Sequence, residues 1–400
     1  MKKNFDIEST IFHFTKSSRK GSLSKDSSSV PLCKVFLPLL KLLYLAGVEA
    51  LPCPARIRKR KLSHWIWKCP RYIMNFLLSF SIFSQLLTTL IVPEKKIEIA
   101  AFIVFLFEWT AHISMRRIRN QFKILLKELS KISSILFNPI DHRKIKRLFI
   151  ICIAFICFVN ITYYWSFYYS YTRAKMQLKF LNSSTVVRLL KVPPQYFQIN
   201  LDITTLCFPI TFGIPFYLLI VYYNFICGCL KSLFHEIVLQ LRDKSAEYRL
   251  QQLLEAYDRT TSLMKALDYH FSYSILVVVF SSMAALFWVG CNIVFAPKLS
   301  YLSYAFPLIY GIYYLSLLVT VILAASVAVD AGKLARDAVL SLPGLIPKHY
   351  KELKIRVSNN YKRDTFLTLW KIYDIDKSLL ISAFGTLLTY GILIANLKSV

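Results

Sequence analysis

Stretches of about twenty residues with almost no charge recur along this chain, and about twenty is the length a helix needs to cross a hydrocarbon core. They fall at about 71–93, 97–115, 148–171, 203–230, 271–295, 301–328 and 377–397. A soluble domain is roughly 45–50% apolar; here 56% of 400 residues are. The pattern predicts an all-α, polytopic membrane protein with seven transmembrane helices.

The net charge of +28 does not make this a nucleic-acid binder, because most Lys and Arg lie between the apolar runs. There they act as topology signals. Arg116, Arg117, Arg119, Lys123, Lys127 and Lys131 follow span two, and Lys333, Arg336, Lys348, Lys351 and Lys354 follow span six. Connections after spans one and five are only a few residues long. The amino terminus is therefore expected in the cytoplasm and the carboxyl terminus outside. The loop 172–200, expected outside, is itself basic, but it holds Asn182-Ser183-Ser184, a glycosylation acceptor usable only on the lumenal side.

Residues 1–32 are polar and Ser- and Lys-rich, which predicts a disordered cytoplasmic tail with no cleavable signal. The oily stretch 33–52 carries Lys41 and Glu49 and is basic on both flanks, so 33–70 reads as an interfacial helix and a basic segment. A six-helix bundle is expected over 71–328, a cytoplasmic anchor segment at 329–376 and a seventh helix at 377–400. Between spans four and five, Leu230, Leu233, Ile237 and Leu241, then Leu250, Leu253 and Tyr257, recur at helical spacing. A cytoplasmic helical extension over 231–269 follows, its stripe covered either by the neighbouring helix or by another subunit.

Nine cysteines and seven scattered histidines show no metal spacing. No metal, cofactor or enzymatic chemistry is expected. Glu108 and His112, four apart inside span two, are ionisable groups at membrane depth, expected to form a structural hydrogen-bonded pair or to titrate.

On a helix at about 100° per residue, Ser378, Ser382, Thr386, Thr389, Leu393 and Asn396 share one face of span seven. Either these hydroxyls bond back to their own helix, or the face lines a wet pore, which needs several copies around an axis. Thr389-Tyr390, five residues, then Asn396-Leu397 resembles the seventh-span signature of the insect gustatory receptor family, TY, five hydrophobic residues, then QF. Upstream, Asp376, Lys377, Ser378, Leu379 and Leu380 are similar to the family's Asp, basic, Ser and paired Leu. Asn396 stands where Gln is usual, Leu397 where Phe is usual and Lys371 where Gly is common.

The resemblance implies a ligand-gated, non-selective cation channel in the plasma membrane of sensory neurons. It implies a homo- or hetero-tetramer with related subunits, a small-molecule tastant or other chemical ligand, and a pore lined by Ser382, Thr386, Thr389, Leu393, Asn396 and Leu397. The outer half of span three is rich in aromatics, which form either an interfacial belt or one wall of a ligand pocket. Tyr164, Trp165 and Tyr168 are its candidates, facing Asp202, Trp288 and Tyr304. A seven-helix receptor coupled to G proteins is the alternative. It requires the basic segments outside, and neither an acidic-Arg-Tyr triplet in span three nor Asn-Pro in span seven is present. A transporter, a second alternative, would show repeated halves, which are not detectable.

Overall fold

The computed structural model describes residues 31–48, 61–91, 95–136, 193–242, 246–295, 301–345 and 366–399, with residue 355 and part of 147–164. Helix α1, Pro31–Leu45, buries Phe36, Leu39, Leu40 and Leu43, the three- and four-residue spacing of one helix face. It ends at Gly47, φ +79°, whose N–H donates to Tyr44 O while Val48 N–H reaches Leu43 O. That is the pair of bonds by which a left-handed residue closes a helix.

Helices α2 (Lys61–Ile91) and α3 (Lys95–Arg117) follow. On α2 the usual polarity is reversed. Ser81, Ser84, Gln85 and Thr88 are buried, while Phe76 is 69% and Phe83 64% exposed. Such a face is costly in water and at home in lipid. Helix α4 (Arg119–Ile135) has the ordinary polarity, with Phe122, Leu125, Leu126, Leu129 and Ile132 inside and Lys123 and Lys127 outside.

A shorter apolar helix α5, Ile153–Thr162, precedes α6, Pro194–Phe208. A wide π turn, Pro209–Gly213, joins α6 to α7, Ile214–Arg242. Span four was expected from 203; the structure puts that start in α6 and interrupts it at this turn. Helices α8 (Ala246–Phe295) and α9 (Tyr301–Leu345) have 50 and 45 residues. At about 1.5 Å per residue each is more than twice the roughly 30 Å of a hydrocarbon core. Among the described residues five helices are long and apolar enough to cross a membrane: Lys68–Leu90, Glu98–Arg117, Ile214–Arg242, Arg249–Val294 and Pro307–Pro343.

Aromatic pairs fix how these helices run. Tyr222 meets Phe271 at 5.7 Å and Phe234 meets Tyr257 at 6.3 Å, so α7 and α8 are antiparallel. Phe107 with Phe280, and Ser114 with Ser274, set α3 antiparallel to α8. Tyr217 lies beside Tyr313, and Phe234 beside Gly332, so α9 runs with α7. The stripe at Leu233, Ile237, Leu241, Leu253 and Tyr257 is already buried within one chain.

A small hairpin leads into the last helix. Strands β1 (Thr368–Leu369) and β2 (Tyr373–Asp374) pair antiparallel, Leu369 opposite Tyr373. The loop 370–372 is closed by Ile372 N–H to Leu369 O at 2.9 Å. Trp370 and Lys371 have φ of +49° and +59°, conformations that ordinary side chains resist. Helix α10, Lys377–Ser399, starts three residues after the hairpin.

Candidate functional site

Where α5, the π turn, α7 and α9 meet, Val159, Asn160, Phe208, Gly213, Tyr217, Tyr310, Tyr313 and Tyr314 line a cleft with about 20 Å³ of free space. That is room for about one water. Its walls are aromatic because Tyr310, Tyr313 and Tyr314 fall three and four apart on one face of α9, and Tyr217 and Phe155 stack near them. Its open edge comes from Gly213, whose missing Cβ would meet nothing within 4 Å.

Below the cleft Tyr314 donates its hydroxyl to Glu108 Oε1 at 2.8 Å. Glu108 is 3% exposed and its Oε2 has no hydrogen-bond partner among the described residues. One turn on, His112 Nε2 donates to the Ala46 carbonyl at 2.9 Å, just past α1. Glu108 and His112 thus bond to different elements rather than to each other. Arg116, a further turn on, donates to Asn75 of α2. Helix α3 pins three neighbours with one polar line of i, i+4, i+8 residues.

Of the residues singled out in the sequence, Tyr164, two residues past the end of α5, donates its hydroxyl to Leu206 O of α6 at 2.9 Å. Trp288 is half-buried, 6.3 Å from Tyr310, and Asp202 is half-buried on α6. Trp165, Tyr168 and Asn182 lie outside the described residues, as does the side chain of Tyr304. Sequence reading missed Tyr313, Tyr314, Tyr217 and the link to Glu108. The signal was there in the tyrosine spacing, and in Pro209 and Gly213 interrupting an apolar run.

Helix α10 is held on α8 and α9 by a narrow strip in which Ala383 is buried and Leu379, Leu380 and Leu387 are half-buried. Ser382, Thr386 and Thr389 lie about a quarter turn round from it and are exposed. Thr386 donates to Ser382 O at 2.8 Å and Thr389 to Gly385 O at 2.9 Å, the back-bonding that lets hydroxyls sit in an apolar helix. Tyr390, Leu393, Asn396 and Leu397 lie on the same helix, their side chains outside the described residues.

Asp376 caps α10: its Oδ1 accepts the Ser378 hydroxyl at 2.6 Å and the Leu379 N–H at 3.1 Å. The Ser378 bond, first, and the backbone bonds hold this carboxyl below its ordinary range. Lys377 pairs with Asp330 of α9 at 3.1 Å, and Lys333 sits 5.3 Å over the Phe366 ring.

No model of a known protein family matches the chain, and no curated protein does. Solved structures do. The insect olfactory receptor OR5 from Machilis hrabei in complex with eugenol is similar over 93% of this chain and 100% of its own, at 15% identity and a TM-score of 0.62. Another structure of OR5 from Machilis hrabei is similar over 92% and 99%, at 15% identity and a TM-score of 0.59. At that identity the fold is what is shared.

Proposed function

We propose that this chain, which shares the fold of an insect olfactory receptor over nearly its whole length, is a gustatory-type chemoreceptor. Four copies, or copies with related subunits, form a ligand-gated, non-selective cation channel in the plasma membrane. Seven helices cross, with the amino terminus in the cytoplasm and the carboxyl terminus outside.

Parity supports the seven. Because α3 and α7 run the same way, the chain returns across the bundle between Arg117 and Ile214, and α5 is the apolar helix in that interval. Phe155 sits at the level of Tyr217, and Tyr164 at that of Leu206. With the five long helices and α10, that makes seven crossings.

The observation that carries the channel reading is the uncovered hydroxyl face of α10. Exposed Ser382, Thr386 and Thr389 give a membrane helix one polar face that suits water or a neighbouring helix better than lipid, even with Thr386 and Thr389 bonded back to their own helix, and the family-like signature lies on this helix. Copies arranged around an axis supply both, with Asn396 and Leu397 forming a polar ring beside an apolar neck. The tyrosine cleft is the proposed seat of a small organic ligand.

The deciding experiment is an epitope tag on each terminus, read by antibody on intact and then permeabilised cells. A carboxyl terminus stained on intact cells, with the amino terminus stained only after permeabilisation, is expected. The reverse pattern overturns the reading in favour of a G-protein-coupled receptor. With topology established, Thr389→Ala and Tyr390→Ala should lower current without lowering surface delivery.

A further inference from the structure

The cleft and the carboxylate beneath it are joined by one side chain. Tyr314 is at once a wall of the cleft and the donor to Glu108 Oε1, 2.8 Å away. A phenol has a single hydroxyl proton. With that proton committed to Glu108, the Tyr314 oxygen can only accept from any other group. Its hydrogen bond to a carboxylate also makes that oxygen a better acceptor, since linked hydrogen bonds polarise one another.

Glu108 itself is incompletely satisfied. Its Oε2 is buried with no partner among the described residues. The ionisable groups nearest along α3 are no substitute: His112 is engaged at Ala46, and Arg116 at Asn75. A carboxylate left unpaired in an apolar setting is costly, so a buried one either takes up a proton or gains a cation beside it. Around the cleft stand Phe208, Tyr217, Tyr310 and Tyr313. Their ring faces carry the negative end of the aromatic quadrupole and attract cations.

Aromatic walls, an acceptor-only hydroxyl and a half-paired carboxylate behind it are complementary to one ligand class. We infer that the cleft binds a protonated amine carried on a small apolar or aromatic body, with Tyr314 accepting from the ammonium and Glu108 supplying the counter-charge. This deepens the chemoreceptor reading and rests on it for its biological meaning. The free space of about 20 Å³ admits an ammonium group but no aromatic body. Binding therefore requires the tyrosines to part, and the Gly213 edge is the open side.

The test uses the purified full chain in lipid nanodiscs, with benzylamine, phenethylamine and 3-phenylpropylamine matched against the corresponding alcohols. Binding is read by calorimetry and by thermal shift. At least one amine should bind about tenfold or more tightly than its alcohol, the factor expected of a hydrogen-bonded charge. Glu108→Gln, which keeps an oxygen for Tyr314, should remove that preference, so that each amine binds no more tightly than its alcohol.

No preference for any amine over its alcohol in the wild-type chain overturns the inference, and needs no variant to fold. A preference that survives in Glu108→Gln overturns it too. Conductance is recorded separately, from the same purified chain in a planar lipid bilayer. A chain that prefers amines but carries no current sinks the channel reading and leaves this inference standing, whereas a conducting chain without the preference does the reverse.

Discussion

The Asp268 carboxylate holds Thr368 twice, accepting its backbone N–H at 2.6 Å and its hydroxyl at 2.9 Å. This ties α8 to the hairpin that feeds α10. Beside it Trp370 meets Tyr273 edge-on at 5.7 Å, and Lys371 Nζ sits 4.9 Å over Tyr269. Hydrogen bonds to a charged group contribute about 1.5–3 kcal/mol each before allowance for solvent. Asp268 is half-buried, so Asp268→Ala should cost about 2 kcal/mol in all. Asp268→Asn, which keeps an oxygen, should cost less. A thermal melt of the detergent-solubilised chain reads both. An unshifted melt for Asp268→Ala would show that buried Leu367, Leu369 and Ile375 hold the hairpin alone.

Lys371 stands where the family resembled commonly has glycine, and its φ of +59° gives the reason. A left-handed conformation costs an ordinary residue about 1–2 kcal/mol. Glycine would relieve that, but it loses roughly 0.5–1 kcal/mol of backbone entropy and a further ~0.5–1 kcal/mol with the cation over Tyr269. These terms offset, so Lys371→Gly should melt within about 1 kcal/mol of wild type. Lys371→Ile loses the same cation and adds a β-branched side chain at positive φ, so it should fall about 1–2 kcal/mol below Lys371→Gly. Equal melts for the two variants would mean that the turn relaxes out of the left-handed region.

Five of the seven expected spans were legible because lipid forbids charge over about twenty residues, and no tertiary detail is needed to see that. The continuation of α9 beyond the expected span six was not. Reading stopped span six at 328, where Asp330, Lys333 and Arg336 begin, yet the helix runs on to Leu345. Its charges are tolerated outside while Ala335, Val339 and Leu342 are buried. The cleft was half legible: Trp288, beside Tyr310, stood out as an aromatic, but Glu108 meets Tyr314 across 206 positions. No periodicity encodes such a pair. The hairpin escaped because Trp-Lys lacks the Asn-Gly signal that usually marks a left-handed turn.

Gly47 closes α1 and sets the carbonyl of Ala46 in front of His112. A Cβ there would lie 2.9 Å from Met74 Cβ, at a φ of +79°. Left-handed strain of about 1–2 kcal/mol then adds to an overpacking cost of about 1–3 kcal/mol. Gly47→Ala should therefore destabilise by at least about 2 kcal/mol, read as a lower Tm by fluorescence-detected size exclusion. A wild-type Tm would show that α1 swings away from α2 at little cost.

The hydroxyl face of α10 separates packing from pore. Thr386 and Thr389 already satisfy their hydroxyls within the helix, so bonding alone does not require water. Ser382→Cys and Thr386→Cys should nonetheless react with a charged, water-soluble thiol reagent and lose current, because the face is uncovered in one chain. Exposed Ile381→Cys and Leu388→Cys, on other faces, should react more slowly. Equal inertness at all four positions would assign the hydroxyl face to helix packing.

The cap at Asp376 gives a pH dependence whose sign is fixed. Its carboxyl titrates below the ordinary range because the Ser378 hydroxyl, first, and the backbone N–H groups of Leu379 and Ser378 favour the ionised form. A group with a depressed folded pKa stabilises above its unfolded value, and that stability is lost as pH falls through the folded one. The start of α10 should thus be best held at neutral pH and loosen only under acid conditions, below the usual carboxylate range. Asp376→Ala should cost about 1 kcal/mol, as loss of a helix cap does, and should flatten the acid limb of a Tm-against-pH curve. Asp376→Asn, a good cap without a charge, should restore much of the stability at neutral pH without restoring that limb. Should Asp376→Ala leave both the melt and its acid limb unchanged, the helix start is held by the Lys377–Asp330 pair and by burial of Ile375 instead.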